Sequence, residues 1–454
     1  MNKIESILEK SQSKTILFLG KFLNIMQEDL AKFTQKLGFE FATNYEDTKS
    51  YALIVLSSIL NPIEEDISYQ LYEQNIPDCK LEEFESFYAK SIKPNALLMS
   101  LKLSNNQDRV ISFLKSKAVD NELFLKLFKL YNWQNEGLFD NDNNRDITLS
   151  FINRFFVKRE NFNHNDIAHS PASILDIALT STNQDALEAL LKIPEYRIKQ
   201  RDKTKIAPTN IKETVALNPN INRATIRYLL NLNETKIDYF LAKNPNLTKD
   251  EQLQLFNRGN TQLLSNLAKN PNLDIEIFAK LLSSSAKEIV LIYQTITKEH
   301  FKLLSQDDIE IVVKNPNIKD IYKELLGLSK SIDISLASNV SLDKKDIQKL
   351  YKKYGKEISY SLASNPKTPS DILNKIYKID DINLTKLIAQ NPSTPQEIIY
   401  SLCQKDDYLL NRDLAKNPNL PDDYIEFFKL DNELLRIMSQ VPQLVEKISK
   451  KEYI

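Results

Sequence analysis

The dipeptide Asn-Pro recurs at Asn218-Pro219, Asn244-Pro245, Asn270-Pro271, Asn315-Pro316, Asn365-Pro366, Asn391-Pro392 and Asn417-Pro418, with steps of 26, 26, 45, 50, 26 and 26 residues. A fixed period of this length is the mark of a chain built from stacked supersecondary units, none of which can bury its own apolar stripe. The long steps are filled by Asn339-Val340 and by the degenerate Leu291-Ile292-Tyr293-Gln294. Ser170-Pro171, Ile193-Pro194 and Val441-Pro442 extend the spacing outward, so about twelve units are expected from residue 165 to the end.

Each unit reads as two helices and a turn. Proline disfavours the α conformation in the residue before it, so every Asn-Pro closes one helix. The two positions before the junction are apolar then Ala, as at Val215-Ala216, Leu241-Ala242, Leu267-Ala268, Leu362-Ala363, Ile388-Ala389 and Leu414-Ala415. The small Ala implies close helix contact there. A second helix is expected about four residues later, with Thr368-Pro369 and Thr394-Pro395 placing an N-cap before proline. Thr394 with Glu397, and Thr248 with Glu251, give capping-box patterns. A row of asparagines could face a ligand or could satisfy the turn's own backbone, and the second use is favoured because turn backbone groups must find partners.

The run Leu362–Leu373 (LASNPKTPSDIL), echoed at Ile388–Ile399, resembles the leucine-rich repeat variant family over about 290 residues. That resemblance implies a right-handed α-solenoid of alternating α and 3₁₀ helices. The arginine that members often carry before Ala-x-Asn-Pro is mostly missing, apart from Arg412, and the N-terminal cysteine cluster that some members use for iron and sulfur has no counterpart.

Residues 14–92 break the helical rhythm. Strands are predicted at Lys14–Leu19, Phe39–Thr43, Tyr51–Ser57 and Asp78–Cys79, and helices at Gln27–Leu37, Ile63–Gln74 and Leu81–Lys90. This order suggests a small sheet with helices on both faces. The segments Thr15–Phe22 (TILFLGKF), Lys36–Phe39 (KLGF) and Ile76-Pro77 followed by Leu81–Phe84 (LEEF) resemble a BRCT domain. Phosphopeptide-binding members place a hydroxyl where this chain has Leu19 and a cation where it has Glu64, Glu65 and Asp66, so the usual phosphoserine pocket is not expected. Phe84, where the family often has tryptophan, reads as core. The resemblance implies contact with DNA or with another protein, and Lys14, Lys21, Lys32 and Lys36 are the candidate phosphate contacts.

Residues 95–156 read as three or four helices carrying Val110, Phe113 and Leu114, then Leu123, Phe124, Leu127 and Phe128, with a polar loop at 141–146. They are expected to cap the first repeat. The domain expectation is therefore a BRCT-like α/β domain at 1–94, a helical connector at 95–164 and the solenoid at 165–454, mainly α as a class.

Chemistry-bearing patterns fail one by one. Asp140, Asp142 and Asn144 mimic the start of a calcium loop, but Arg145 stands where glycine must turn the chain and Phe151 where a bidentate Glu belongs. His164, His169 and His300 have no metal-ligand spacing, and Cys79 and Cys403 are isolated thiols. With 6 Gly in 454 residues, a glycine-rich phosphate loop has little material. A net charge of −1 gives no global pull toward nucleic acid or anionic lipid. Residues 1–164 hold 20 basic and 23 acidic groups, and residues 165–454 hold 40 and 38. A helical-repeat DNA glycosylase is disfavoured by the single tryptophan, Trp133, which lies outside the array. The expectation is a non-enzymatic, cytoplasmic scaffold without cofactor or metal that binds a protein or peptide and does not enter the membrane. DNA, reached through the N-terminal domain, is the alternative partner.

Overall fold

The computed structural model describes residues 3–157, 171–195 and 206–450. It is mainly helical, with one four-stranded parallel sheet near the N-terminus. The chain packs as two compact units, Met1–Asn244 and Pro245–Ile454.

The sheet has the order β2-β1-β3-β4, where β1 is Thr15–Leu19, β2 Glu40–Ala42, β3 Leu53–Leu56 and β4 Asp78–Lys80. Ile16 stands opposite Phe41 on one side and Leu53 on the other, and Ile54 opposite Asp78. All five β1 residues are buried, which is why the strand reads as an apolar run and not as an alternation. Odd and even positions serve different helices. Leu17 and Leu19 cluster with Ile54 and with Leu71 of α3 (Pro62–Glu73). Phe18 meets Phe84 of α4 (Leu81–Ser91) edge-on at 5.1 Å, and Phe84 meets Phe33 of α2 (Gln27–Lys36) at 6.0 Å. A further helix, α1 (Lys3–Lys10), precedes the region read as α/β and buries Ile4 and Leu8.

Four helices follow: α5 (Pro94–Ser104), α6 (Gln107–Lys115), α7 (Asn121–Phe128) and α8 (Asp142–Phe155). The expected polar loop at 141–146 is instead the start of α8. Asn141 caps it by accepting from the Asn144 N–H at 2.8 Å. Asn144 is itself buried, accepting from the Tyr131 hydroxyl and donating to the Gly137 carbonyl at 3.0 Å. Asp140 lies before α8, and Asp142 and Asn144, two residues apart within it, point to nearly opposite faces, so the three side chains do not converge on an ion.

From residue 211 on, helices alternate on either side of each junction. Ser359–Ser364, Ile382–Gln390 and Tyr408–Leu414 lie just before their junctions and pack in succession. Ser370–Tyr377, Gln396–Cys403 and Asp422–Phe428 begin five residues after theirs. Both helices of a unit are α. Among the described residues the one 3₁₀ helix is Gly355–Ile358, which departs from the alternation the family resemblance implies. The pre-junction helix tightens at its last one or two steps, as where the Asn391 N–H bonds the Ile388 carbonyl three residues back at 3.1 Å.

The capping expectations divide. Thr248 and Glu251 form a capping box, the Thr248 N–H lying 2.8 Å from the Glu251 carboxylate. Thr368 and Thr394 do not cap. Their hydroxyls donate at 2.6 Å to the carbonyls of Leu362 and Ile388, six residues back, and Pro369 and Pro395 take the N-cap position themselves. A buried carbonyl near the end of the pre-junction helix outcompetes the exposed amide of the next one.

Candidate functional site

The periodic asparagines are the first candidate. Asn417 donates from its side-chain amide to the Ala389 carbonyl at 2.8 Å and the Asn391 carbonyl at 2.9 Å. Asn391 does the same to Ala363 (2.7 Å) and Asn365 (2.9 Å), and Asn365 to Ala337 (2.8 Å) and Asn339 (2.9 Å). Asn339 reaches Val313 and Asn315, and Asn315 reaches Leu291 and Gln294. Gln294 stands in asparagine's place and donates at 2.8 Å to both Ala268 and Asn270. In the N-terminal unit, Asn244 donates to the Asn218 carbonyl at 2.9 Å. At Asn218, Asn270, Asn315, Asn339, Asn365, Asn391 and Asn417 the Oδ1 also accepts from the N–H two residues on, as Ser393 gives to Asn391 at 2.8 Å. Asn218, Asn270, Asn365 and Asn417 are fully buried. Both ends of these amides are therefore used inside the protein, and a carbonyl just before each junction, of alanine in the regular units and of Leu291 or Val313 in the irregular ones, is the acceptor for the next unit.

The outer junctions differ. Asn218 reaches back to Ala178 and Ser181, at 3.0 Å each. Ile193-Pro194 and Val441-Pro442 bring no amide, so hydrophobic residues there keep the spacing without the hydrogen bonds. Ser170 falls outside the described residues, as do His164 and His169.

The second candidate is the N-terminal set of lysines. Lys14 and Lys21 flank the two ends of β1, about 20 Å apart by strand rise. Lys14 sits over the Phe39 ring at 5.1 Å. Lys32 and Lys36 are exposed one turn apart on α2, so of the four only these two are brought together.

The end of β1 is closed by acid. Gly20, with φ +91°, is a position where a side chain would lie 2.4 Å from the Ile59 carbonyl. Its N–H donates to Glu64 Oε1 at 3.2 Å, while Glu64 Oε2 accepts from the Asn61 N–H at 2.8 Å in a capping box at the start of α3. One carboxylate thus accepts from both backbone amides at this corner.

Two of the clefts in the N-terminal unit border α2. The larger, about 710 Å³, runs along Phe22, Leu23, Met26, Phe41 and Ile111. Its charged lining is Glu28 and Asp108 against Lys115, and Lys115 is already paired with Asp146 at 2.7 Å. The smaller, about 310 Å³, lies between α2, α4 and α5, with Arg109 of α6 on its wall. Arg109 grips Asp29 with both arms at 2.6–3.0 Å, and the Asp29 side chain is 5% exposed. Arg109, Tyr88 and Lys93 are members of this cleft that the sequence reading did not single out; 80 residues separate Arg109 from Asp29.

The remaining reactive groups are enclosed. Burial pushes the thiols of Cys79 and Cys403 up to about 12, so neither is a thiolate at neutral pH. His300 packs on Phe278 at 4.5 Å and closes a cap with Thr297. Among the described residues, no group of three His, Cys, Asp or Glu could hold a metal, and no helix is long and apolar enough to cross a membrane. No family model, curated protein or solved structure matches this chain.

Proposed function

We propose that the chain is a non-enzymatic scaffold in which an α-solenoid of about twelve units, from residue 165 onward, offers an extended surface to a protein or peptide. The amide ladder supports this most: the recurring residues face inward and are used up, leaving the positions that vary from unit to unit outside. Among these, Tyr293, Tyr360 and Tyr408 are 57%, 46% and 46% exposed at or near the pre-junction helices. Exposed tyrosines give large contact area at low entropy cost, and interfaces are enriched in them. In this reading residues 1–94 are a BRCT-like domain, supported by the parallel sheet with helices on both faces, and residues 95–164 cap the array.

The test is capture with the intact chain followed by cross-linking and mapping. Cross-links to partner polypeptides at 245–454 that disappear with Tyr360→Ala/Tyr408→Ala support the scaffold reading. Retention unaffected by those substitutions, or no retained polypeptide, sinks it.

A second reading, DNA contact through the N-terminal domain, is favoured by the adjacent exposed Lys32 and Lys36. Anisotropy with nicked, blunt and single-stranded DNA across a salt series decides it: a steep salt slope lost in Lys32→Gln/Lys36→Gln supports DNA binding, and no binding at low salt ends it.

A further inference from the structure

The smaller cleft has a charge pattern that the fold itself does not need. Four cationic side chains line it, Lys32, Lys36, Lys93 and Arg109, against one carboxylate, Asp29, a net of +3. Asp29 cannot neutralise the lysines, because Arg109 occupies both of its oxygens. Lys32, Lys36 and Lys93 form no ion pair among the described residues, whereas Lys115 at the neighbouring cleft does. Solvated lysines ordinarily spread over a convex face; here three line one concavity.

The rest of the lining is mostly apolar, with Tyr88, Ser91 and Ser100 adding hydroxyls. Phe33 and Leu97 form a buried floor, with Ala96 and Ile92 beside them. The volume, about 310 Å³, lies at the lower end of small-ligand pockets and is smaller than a surface that would track a duplex. A group with more than one negative charge suits three ammonium ions better than a single carboxylate does, and lysine binds phosphate as a point charge.

We propose that this cleft binds a nucleotide-sized organic phosphate, its phosphates against Lys32, Lys36 and Lys93 and its flat or apolar part on Phe33, Ala96 and Leu97. The Asp29–Arg109 pair positions the site: it fixes α6 against α2 and removes the one carboxylate that would repel the ligand. The site lies wholly within residues 1–244 and does not rest on the scaffold reading, so either can fail without the other.

The test is calorimetric titration of the intact chain with ADP, pyrophosphate and adenosine at low salt. ADP is expected to bind most tightly, pyrophosphate more weakly and adenosine not measurably. Lys36→Gln/Lys93→Gln removes two exposed charges and is expected to weaken ADP at least tenfold while the unfolding midpoint read from Trp133 fluorescence stays in place. Ala96→Leu, which narrows the apolar part, is expected to weaken ADP more than pyrophosphate. No heat with millimolar ADP or pyrophosphate overturns the proposal, as does undiminished binding in the lysine variant. A short single-stranded oligonucleotide displacing ADP at a hundredfold lower concentration also overturns it and assigns the cleft to nucleic acid.

Discussion

The N-terminal sheet region and the repeats bury polar groups in opposite ways. In the repeats one device is copied: a side-chain amide reaches two backbone carbonyls, 26 and 28 residues back in the regular units. In the sheet region several buried polar groups are solved one at a time and at long range. Asp29 meets Arg109 across 80 residues, Glu85 accepts from the Ile25 N–H across 60, and Ser112 donates to the Asn24 carbonyl across 88. The repeats show that a local rule, applied many times, orders a large structure. The sheet region shows that a unique core depends on pairs that no local rule supplies.

The single tryptophan separates the two experimentally, because buried Trp133 reports only on residues 1–244 while far-ultraviolet dichroism reports on both units. The sharpest break is Asn391→Ala, which strands the buried Ala363 carbonyl and the Ser393 N–H and takes one of two donors from the Asn365 carbonyl. It should cost on the order of 4 kcal/mol in urea unfolding followed by dichroism, with the Trp133 transition unmoved. A cost below about 1 kcal/mol would mean that the amides follow the fold without supporting it. Next is Arg109→Ala, which leaves Asp29 buried and unpaired. A loss of about 3 kcal/mol should appear in the tryptophan transition, largely recovered in Asp29→Leu/Arg109→Met. Recovery would show that the pair is replaceable in stability terms, unlike the ladder.

A smaller effect belongs to Thr394→Val, which keeps shape and removes the hydroxyl that bonds the Ile388 carbonyl. About 1 kcal/mol is expected from the same dichroism transition, and no change would return Thr394 to a merely steric role. The subtlest is a pH effect at Glu85. Burial raises its carboxyl above the ordinary value, and the bonds from Ile25 and Asn24 only partly oppose that. The fold therefore favours the neutral acid, and this contribution is present at low pH and lost as pH rises through the folded value. Relative to Glu85→Gln, the wild-type tryptophan transition should lose stability as pH rises above the ordinary carboxylate range. A gap independent of pH would show that Glu85 stays charged.

The sequence made the repeats legible because their hydrogen bonds follow its period. Asn-Pro, the preceding Ala and the degenerate Gln294 could all be placed by counting. The strands of the sheet were legible for a different reason: parallel strands covered on both faces are short apolar runs, as Leu53–Leu56 is. What could not be read were choices between equivalent local partners. Thr394 had an amide ahead and a carbonyl behind, and only the burial of Ile388 decides between them. Asn141 looked like loop polarity, when its side chain starts a helix. Of the candidate lysines, Lys32 and Lys36 are joined by helical spacing, but Lys93 and Arg109 reach the same cleft only through packing of α5 and α6. No pattern along the chain marks that.

The ladder also bears on how such a chain can change length. Each amide needs only an alanine carbonyl and an asparagine carbonyl one unit back, and every regular unit provides both. Deleting residues 366–391 would set Asn417 on the carbonyls of Ala363 and Asn365 that Asn391 now uses. An in-frame loss or duplication of 26 codons therefore leaves every amide in the regular stretch with acceptors of the same kind. The array can be lengthened or shortened by recombination between its own copies, and its reach can evolve while its joints stay the same.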